Sequence, residues 1–403
     1  MTKFPTPRIR IRDRIKYLEK NPYRVIFFSH AFLFAFLYLL ALVFFNTDLI
    51  SSFWAPGSHN DSKLYISNTL NYPPLYPHVL LGTSLHYVPG LVVLSIFLPL
   101  KDALTISILS IQFSASLFSL CLLYSMYVKK MNLGFNQATL LVLTTDLVLF
   151  SPYLLIPAPE ILFLFYQSLA WHFLDRKKYF FAGITSAMTF ALRYNGAFFV
   201  VGTLILIVYY TKKDLLSPRG IFWGIIVLSA MFAIGFVSYI AAWVYSGDFW
   251  LPLIREISVY QGWEPYASNG VITFPFAWFP DYLMWLLTSG PWFELLLFGT
   301  VLVSLGLGIT SLISFYQRFK ASSISETKNL LPLAVLFFCG FLGVSIVASG
   351  RNLARFLTFS FPTYPILAFT IEKYELNGSV RVISLILAGL LGLILNIGWW
   401  MTY

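Results

Sequence analysis

Long apolar segments, separated by short polar ones, dominate the chain. Several hold about twenty residues, the length that an α-helix needs to cross the hydrocarbon of a bilayer. The pattern therefore predicts an all-α, multi-pass membrane protein. About eleven transmembrane helices are expected, several of them short, at 24–45, 104–128, 137–156, 160–174, 179–192, 196–211, 220–245, 292–316, 329–350, 356–372 and 380–401.

Two further apolar segments have a pattern that does not suit a clean span. Residues 79–100 contain Gly82, His86, Pro89, Gly90 and Pro99, and we expect a broken re-entrant or interfacial element there. Such backbone is tolerated at membrane depth where protein or a wet cavity covers it. The same reasoning predicts that residues 274–288 are interfacial. The expected organisation is one integral-membrane domain, 1–403, with a basic N-terminus at 1–23, a first outer loop at 46–103 and a second at 246–291.

Composition agrees with a membrane protein and leaves no room for a separate soluble domain. Hydrophobic residues make up 58% of the chain and charged residues only 11%, against about a quarter charged in soluble domains. Cys121 and Cys339 lie inside apolar segments and suggest no disulfide framework. The histidines have no ligand spacing and no nucleotide-phosphate motif is present, so we expect neither a metal nor a cofactor.

The net charge of +10 follows the predicted topology rather than indicating a nucleic-acid partner. Cytoplasmic loops of membrane proteins carry an excess of Lys and Arg. Six alternate segments hold 21 of the 27 basic residues and 7 of the 17 acidic ones, so we assign them to the cytoplasm. They are the N-terminus through Arg24, 129–130, 175–178, 211–219, 317–328 and 372–381. This assignment requires that 79–100 does not cross the membrane.

The same topology sorts the remaining charged residues. Acids and arginines gathered at one edge of a helical bundle mark a candidate site. Asp146, in LVLTTDLVLF, is different because it falls in the middle of a span, where we expect it to pair within the bundle or to line a cavity. The candidate site residues that fall on the non-cytoplasmic face are Asp61, Glu160, Arg193, Glu256, Arg351 and Arg355.

Asp61 lies in the polar stretch SHNDSKLYISNTLNYPPLYPH, which ends in a proline-aromatic run. A loop aspartate is commonly just solvated. However, X-Pro steps hold an extended path, so the run 72–77 could fix the position of Asp61. A carboxylate held near a low-dielectric boundary can act as a general base toward an acceptor hydroxyl.

Two further segments place polar residues at helix ends. Glu160 follows SPYLLIPAP, where an acid interacts favourably with a helix N-terminus or lines a pocket for an acceptor sugar. Arg193 and Asn195, in ALRYNGAFF, lie between two apolar arms that are short for a span. The arms predict an inward-dipping hairpin with Arg193 near its tip, and the alternative is an arginine that extends to lipid head groups.

The late segment SGRNLARFLTFSFPTYP carries Arg351 and Arg355, four residues apart and therefore on one helix face. Guanidinium groups suit phosphate oxygens, either of a bound substrate or of ordinary lipids. The loop VYQGWEPYASNG supplies Gln261 and Trp263, with Glu256 just before it. Its aromatic residues fit either an interfacial belt or stacking on a sugar.

Together these segments resemble the GT-C superfamily of integral-membrane glycosyltransferases, and more narrowly the second mannosyltransferase of GPI-anchor assembly and its prokaryotic relatives. That family has an early Trp-Asp-x-x-His-Tyr/Phe motif, a Phe-Phe-Pro-x-x-Pro run, an Arg-x-Asn-Gly tip and a late Arg-Phe. Here Asp61 and Tyr65 match the first motif, whereas Asn60 and Leu64 replace its Trp and His. The segments that match are YPPLYP, SPYLLIPAPE, RYNG at 193–196, YQGW and LARFLTFSFPTYP.

The resemblance implies GT-C-type re-entrant or interfacial elements in the outer loops, and a transferase that takes mannose or a similar hexose from polyprenyl or dolichyl phosphate. The acceptor would be a lipid-linked glycan or related molecule at the non-cytoplasmic face, of the cell membrane in a prokaryote or the endoplasmic reticulum in a eukaryote. The reaction would invert the anomeric carbon. The resemblance also implies that Asp61 is the general base and that Arg355, with Arg351 or Arg193, binds the donor phosphate. The candidate acceptor- or sugar-binding residues are Glu160, Tyr65, Asn195, Gln261, Trp263 and Glu256.

Two other classes stay open. A transporter or flippase of lipid-linked sugars would need an intramembrane polar path and commonly has repeated halves. A non-catalytic subunit of a glycosylation complex would fit the altered Trp-Asp-His motif, with other subunits as its partners. Membrane lipids are expected partners in every case.

Overall fold

A computed structural model describes residues 21–45, 66–67, 69–70, 81–155, 157, 159–215, 217–254, 257–258, 273–274, 277–289, 313, 316–317, 320, 324–346 and 378–402. The described residues are mostly helical, with short turns between the helices, and include no β-strand. In chain order the helices are α1 (Pro22–Phe45), α2 (Leu81–Leu94), α3 (Leu100–Met131), α4 (Phe135–Thr145), α5 (Pro159–Asp175), α6 (Tyr179–Leu192), α7 (Gly196–Leu215), α8 (Pro218–Gly235), α9 (Val237–Ser246), α10 (Phe279–Thr288), α11 (Ile324–Ile346) and α12 (Gly378–Thr402).

Three of the described helices are long and apolar enough to cross a membrane, namely α1, α3 and α8. Large apolar side chains such as Phe28 and Phe32 on α1 point away from the bundle, as expected of a surface that faces lipid. These features are those of an all-α integral membrane protein. The predicted count of eleven spans is not confirmed, because several of the other helices are shorter than a bilayer requires.

Most predicted spans within the described residues correspond to helices. The predicted segment 179–192 coincides with α6, and 160–174 and 196–211 correspond to α5 and α7. The predicted span 220–245 is two helices, because the chain turns at Phe236 between α8 and α9. Segments 292–316 and 356–372 lie wholly or largely outside the described residues.

Helix α2 corrects one expectation about residues 79–100. Residues 81–94 form a continuous helix that includes Pro89, so the chain does not break at this proline; the break lies at 95–99, before α3 begins. At 14 residues the helix is roughly 21 Å long, too short to cross the hydrocarbon. It packs closely against α3, since a Cβ on Gly90 would lie 2.2 Å from Ser107 Oγ. The Ser107 hydroxyl also donates a hydrogen bond to the Tyr87 carbonyl, at 2.9 Å.

Helix α6 lies at the centre of one part of the bundle, where it packs against α5, α7 and α8. Its residues Ala182, Ala187 and Ala191 are buried, and small side chains allow neighbouring helices to approach closely. Helix α7 also packs against α11, and α5 against α3. One end of this bundle is marked by the ion pair of Lys130 Nζ with Asp175 Oδ1, at 2.5 Å. The pair joins the ends of α3 and α5, two segments that the charge pattern assigns to the same side.

A second part of the bundle is joined by buried polar residues from α1, α3 and the end of α4. His30 Nδ1 lies 2.8 Å from Asp146 Oδ1, and His30 Nε2 lies 2.8 Å from Ser116 Oγ. All three side chains are buried. Of the two expectations for Asp146, pairing within the bundle is confirmed. Asp146 also begins a π-helical segment, Asp146–Phe150. Such distortions of an α-helix are frequent at functional sites.

Helix α12 packs on the π-helical segment through Gly392 and Asn396. A Cβ on Gly392 would lie 1.9 Å from the Leu147 carbonyl oxygen, so only glycine allows this approach. Asn396 Nδ2 then donates to Ser151 Oγ at 2.9 Å. The close contact therefore connects the C-terminal helix to the segment that positions Asp146.

We expect Gly392→Ala to lower the free energy of unfolding by about 1–3 kcal/mol, because the methyl group meets backbone that cannot move cheaply. Gly389→Ala, one turn away on the same helix, is the matched control, since a Cβ there meets nothing within 4 Å. It should be neutral or slightly stabilising. Unfolding in detergent with added sodium dodecyl sulfate measures both variants, and equal effects would contradict the close contact.

Candidate functional site

The turn between α6 and α7 brings the sequence RYNG to the end of the bundle away from the Lys130–Asp175 pair. Arg193 ends α6 in an extended conformation, and its carbonyl accepts a hydrogen bond from Gly196 N at 2.9 Å. Ala197 N then donates to the Tyr194 carbonyl, also at 2.9 Å, as α7 begins. The predicted hairpin with Arg193 at its tip is therefore present.

Gly196 makes this turn sterically feasible. A Cβ at this position would lie 2.3 Å from the Thr189 carbonyl carbon and oxygen, closer than any side chain tolerates. The first turn of α7 therefore rests directly on the last turn of α6. The glycine of the RYNG sequence has a packing role that fixes the direction of the residues before it.

Glu160 and Arg193 form an ion pair at this end of the bundle. Arg193 Nη2 donates to Glu160 Oε1 at 2.5 Å, and the two side chains are 15% and 2% exposed, respectively. The pair connects the first turn of α5 to the end of α6. Arg193 is thus bound inside the protein, and its alternative role as an arginine that extends to lipid head groups is wrong.

Burial makes this pair different from an ordinary surface salt bridge. Two charges taken out of water lose solvation that their mutual attraction recovers only in good geometry. Removal of one partner leaves the other as an uncompensated buried charge. Glu160 lies at a helix N-terminus, where a negative charge is also stabilised by the helix dipole. Both sequence interpretations of Glu160, a helix-start acid and a residue that faces a site, are compatible with this position.

Tyr194 and Asn195 occupy the tip itself. The Tyr194 hydroxyl donates to the Pro252 carbonyl at 2.9 Å and so ties the tip to the chain after α9, in the predicted second outer loop. Asn195 Oδ1 is buried and has no hydrogen-bond partner among the described residues. A buried amide oxygen of this kind is a ready acceptor for a donor such as a hydroxyl group.

Helix α2 contributes a residue that the sequence interpretation missed. Tyr87 is fully buried, and Gln112 Nε2 donates to its hydroxyl at 3.2 Å. Burial, and secondarily the nearby Glu160 carboxylate, raise the pKa of the Tyr87 phenol above its ordinary value. The phenol therefore keeps its proton. In the sequence, its only signal is the polar-aromatic pair His86-Tyr87 inside an apolar segment.

His86 is also part of an interhelical contact, because its Nε2 lies 2.6 Å from the Tyr166 hydroxyl on α5. The contact holds α2 against α5 about two helical turns from Glu160. Within the described parts of the chain, no three His, Cys, Asp or Glu side chains come close enough together to hold a metal ion.

The other predicted site residues lie outside the described residues. Of the sequence candidates, the structure thus brings together Glu160, Arg193 and Asn195, with Tyr87 added from α2. The remaining assignments stay predictions. The residues concerned are Asp61, Tyr65, Glu256, Gln261, Trp263, Arg351 and Arg355.

The fold defines the class of the chain as an all-α integral membrane protein. Glu160, Arg193 and Asn195 form a candidate site at one end of its bundle. No family model matches the sequence, and no curated protein matches it. Among solved structures, the chain is similar to the archaeal oligosaccharyltransferase AglB from Archaeoglobus fulgidus in complex with an inhibitory peptide and a dolichol-phosphate. The TM-score is 0.47 and the identity 13%, over 96% of this chain and 56% of that chain. At this level the likeness carries no argument about function.

Proposed function

We propose that the chain is a GT-C-type membrane glycosyltransferase, similar to the second mannosyltransferase of GPI-anchor assembly. It transfers mannose or a similar hexose from a polyprenyl- or dolichyl-phosphate donor to a lipid-linked glycan or related acceptor. Transfer takes place at the non-cytoplasmic face. The observation that carries the proposal is the buried Glu160–Arg193 pair at the tip of the RYNG hairpin.

The depth of the pair suits a donor that arrives within the membrane. Fifteen residues of α5 separate Glu160 from Asp175, roughly 22 Å of helix. With Asp175 and Lys130 at the cytoplasmic boundary of a hydrocarbon layer of about 30 Å, the pair lies about 8 Å below the opposite boundary. Charges at that depth are expensive and are typical of functional sites. A lipid-linked sugar reaches this level without leaving the bilayer.

Helix α2 and the start of α3 provide a cover on this side of the bundle. Helix α3 has 32 residues, roughly 48 Å, so it extends well beyond the hydrocarbon when its basic end lies at the cytoplasmic boundary. Helix α2 packs along this extension and against α6. Its Tyr87 is fully buried and near enough to Glu160 for that charge to act on the phenol, so α2 forms part of the protein around the site.

The proposed reaction is a single displacement. The Asp61 carboxylate accepts the proton of an acceptor hydroxyl, and the resulting oxygen forms a bond to the anomeric carbon of the sugar. The bond between that carbon and the phosphate oxygen breaks, and the lipid phosphate leaves with the electron pair. Attack opposite the leaving group inverts the anomeric configuration. A positioned base of this kind contributes about 10²–10⁴-fold to the rate.

The departing phosphate needs cations near it. Because Glu160 already neutralises Arg193, we assign the main phosphate contacts to Arg355 and Arg351 and a secondary one to Arg193. Guanidinium forks match phosphate oxygens. The acceptor and the sugar contact Tyr65, Glu256, Gln261 and Trp263, together with Asn195, whose buried amide oxygen suits a sugar hydroxyl.

Transport of lipid-linked sugars is the competing class, and one observation disfavours it. The mid-span carboxylate Asp146 is enclosed, since it and its partner His30 are 3% and 0% exposed. An enclosed pair of this kind offers no polar path for a substrate. We therefore favour sugar transfer over transport.

Sugar transfer by the purified protein tests the proposal. The donor is radiolabelled polyprenyl-phosphate-mannose, the acceptor is a lipid extract of the host membrane, and mass spectrometry identifies the product. We expect Asp61→Asn to reduce transfer by about 100-fold or more, because the amide cannot accept the hydroxyl proton.

Asp102→Asn is the matched control, since Asp102 is an acid at the end of the same outer segment that has no assigned role. It should keep the activity of the wild-type protein. Equal transfer by the wild-type and Asp61→Asn proteins would refute the base assignment. Absence of transfer by the wild-type protein from polyprenyl-phosphate-mannose and polyprenyl-phosphate-glucose alike would refute the proposed function.

A further inference from the structure

At the opposite end of the bundle, a cavity of about 40 Å³ lies between the ends of α3 and α5. Its lining includes Lys129, Lys130, His172, Asp175 and Trp171. One water molecule needs about 10–15 Å³ of such space. The cavity therefore has room for a compact group of a few heavy atoms, such as a phosphate.

The charge around this cavity is strongly positive. Lys130 is neutralised by Asp175, whereas Lys129, Arg176 and Lys178 have no side-chain partner among the described residues. All three lie close enough to His172 to act on its charge. Concentrated cations of this kind repel one another, and an anion placed among them relieves the repulsion.

The α5–α6 turn, which begins next to the lining residue Asp175, carries a further exposed cation. Lys177 has a φ of 57°, in the left-handed region where helices commonly end on glycine. Lys178 N donates to the Phe173 carbonyl at 2.9 Å and closes the turn. A lysine therefore occupies a position where glycine is sterically favoured.

One face of α3 runs from apolar to cationic toward the cavity. Phe118, Leu122, Ser125 and Lys129 recur at helical spacing, so they share that face. The last three line the cavity. Phe118, which is 60% exposed, lies one turn farther from the basic end of α3. A phospholipid has the same order, with an acyl chain that leads to a charged head group. A free phosphate ion would have no use for the apolar part of this face.

We propose that this cavity binds the phosphate head group of an anionic phospholipid, with the acyl chain along the Phe118–Lys129 face of α3. Basic pockets between membrane helices are suited to such head groups. Topology alone explains an excess of Lys and Arg at a cytoplasmic end, but it does not explain a cavity or an ordered face leading into it. The proposal is independent of the proposed transferase activity.

Native mass spectrometry of the detergent-purified full chain with added phosphatidylglycerol tests the site. We expect Lys129→Gln, in the cavity lining, combined with Arg176→Gln, next to the lining residue Asp175, to weaken binding by about tenfold, because two cations near the head group are lost. Arg219→Gln combined with Lys320→Gln removes two exposed charges that neither line the cavity nor adjoin a lining residue in the sequence. This control should change the affinity less than twofold, and an equal loss in both double variants would overturn the site in favour of diffuse attraction.

A second variant keeps every charge and fills the cavity. Ser125→Trp, at a half-buried position on α3, should also weaken phosphatidylglycerol binding, and unchanged binding would overturn the proposal. Phosphatidylcholine should bind more weakly than phosphatidylglycerol to the wild-type protein, and equal affinity would count against a site for anionic head groups. Millimolar inorganic phosphate should fail to displace the bound lipid, and full displacement would overturn the lipid as the source of the phosphate.

Discussion

Arg193→Met is expected to abolish sugar transfer and to lower the free energy of unfolding by about 3–5 kcal/mol. The side chain of Glu160 is 2% exposed and is paired with Arg193, so the substitution leaves a carboxylate buried without its counter-charge. Loss of one partner of a buried pair has this magnitude because the remaining ion cannot be solvated. Unfolding with sodium dodecyl sulfate and the polyprenyl-phosphate-mannose assay measure the two effects.

A double variant separates the structural part of this effect from the functional part. Glu160→Gln combined with Arg193→Met removes both charges and should recover most of the lost stability, as is common when a buried pair is replaced as a unit. It should not recover transfer if the pair belongs to the site. A double variant with wild-type activity would exclude the pair from the proposed mechanism.

The chain offers a matched control for burial. The Lys130–Asp175 pair has the same 2.5 Å distance, but its side chains are 35% and 36% exposed. Lys130→Met should therefore change the free energy of unfolding by no more than about 1 kcal/mol, since exposed pairs contribute little. A loss as large as that of Arg193→Met would contradict the explanation by burial.

The parts of the fold that the sequence could predict are those with local signals. The bounds of α6 coincide with the predicted 179–192 segment because polar residues mark both ends, Lys178 before it and Arg193 after it. The turn at RYNG between α6 and α7 could be predicted from the same polar residues. The crossing behaviour of α2 could be inferred from charge topology, but its regular helix could not, since packing against α3 overrides the weak helix preference of Pro89 and Gly90.

The contacts that define the candidate site depend on non-local packing. Glu160 and Arg193 are 33 residues apart. The charge pattern placed both at the non-cytoplasmic face of the membrane but did not indicate that they pair with each other. Tyr87 comes near enough to Glu160 to feel its charge because α2 folds back along α3, a close approach that depends on the fit of Gly90 to Ser107. The division of 220–245 at Phe236 is similar, because no proline marks the turn between α8 and α9.

The His30–Asp146 pair is the other contact of this kind, and it supports the last prediction. The two residues are 116 positions apart, and the sequence indicated only that Asp146 needed a partner or a cavity. Their side chains are buried, and Ser116 completes the contact on the far side of the imidazole ring. The three residues hold α1 and α3 against the start of the π-helical segment, on which α12 rests.

His30→Leu should lower the free energy of unfolding by about 3–5 kcal/mol, because an apolar residue of similar size leaves the Asp146 carboxylate buried without compensation. The combined variant His30→Leu and Asp146→Leu removes both polar partners and should recover most of that loss. His172→Leu is the control, since His172 is partly exposed and close to basic residues, and its effect should stay below about 1 kcal/mol. A double variant as unstable as His30→Leu would contradict this explanation. The helices would then depend on the shape of the two polar side chains. Compensation of a buried charge would not explain why the chain keeps a carboxylate in the middle of a span.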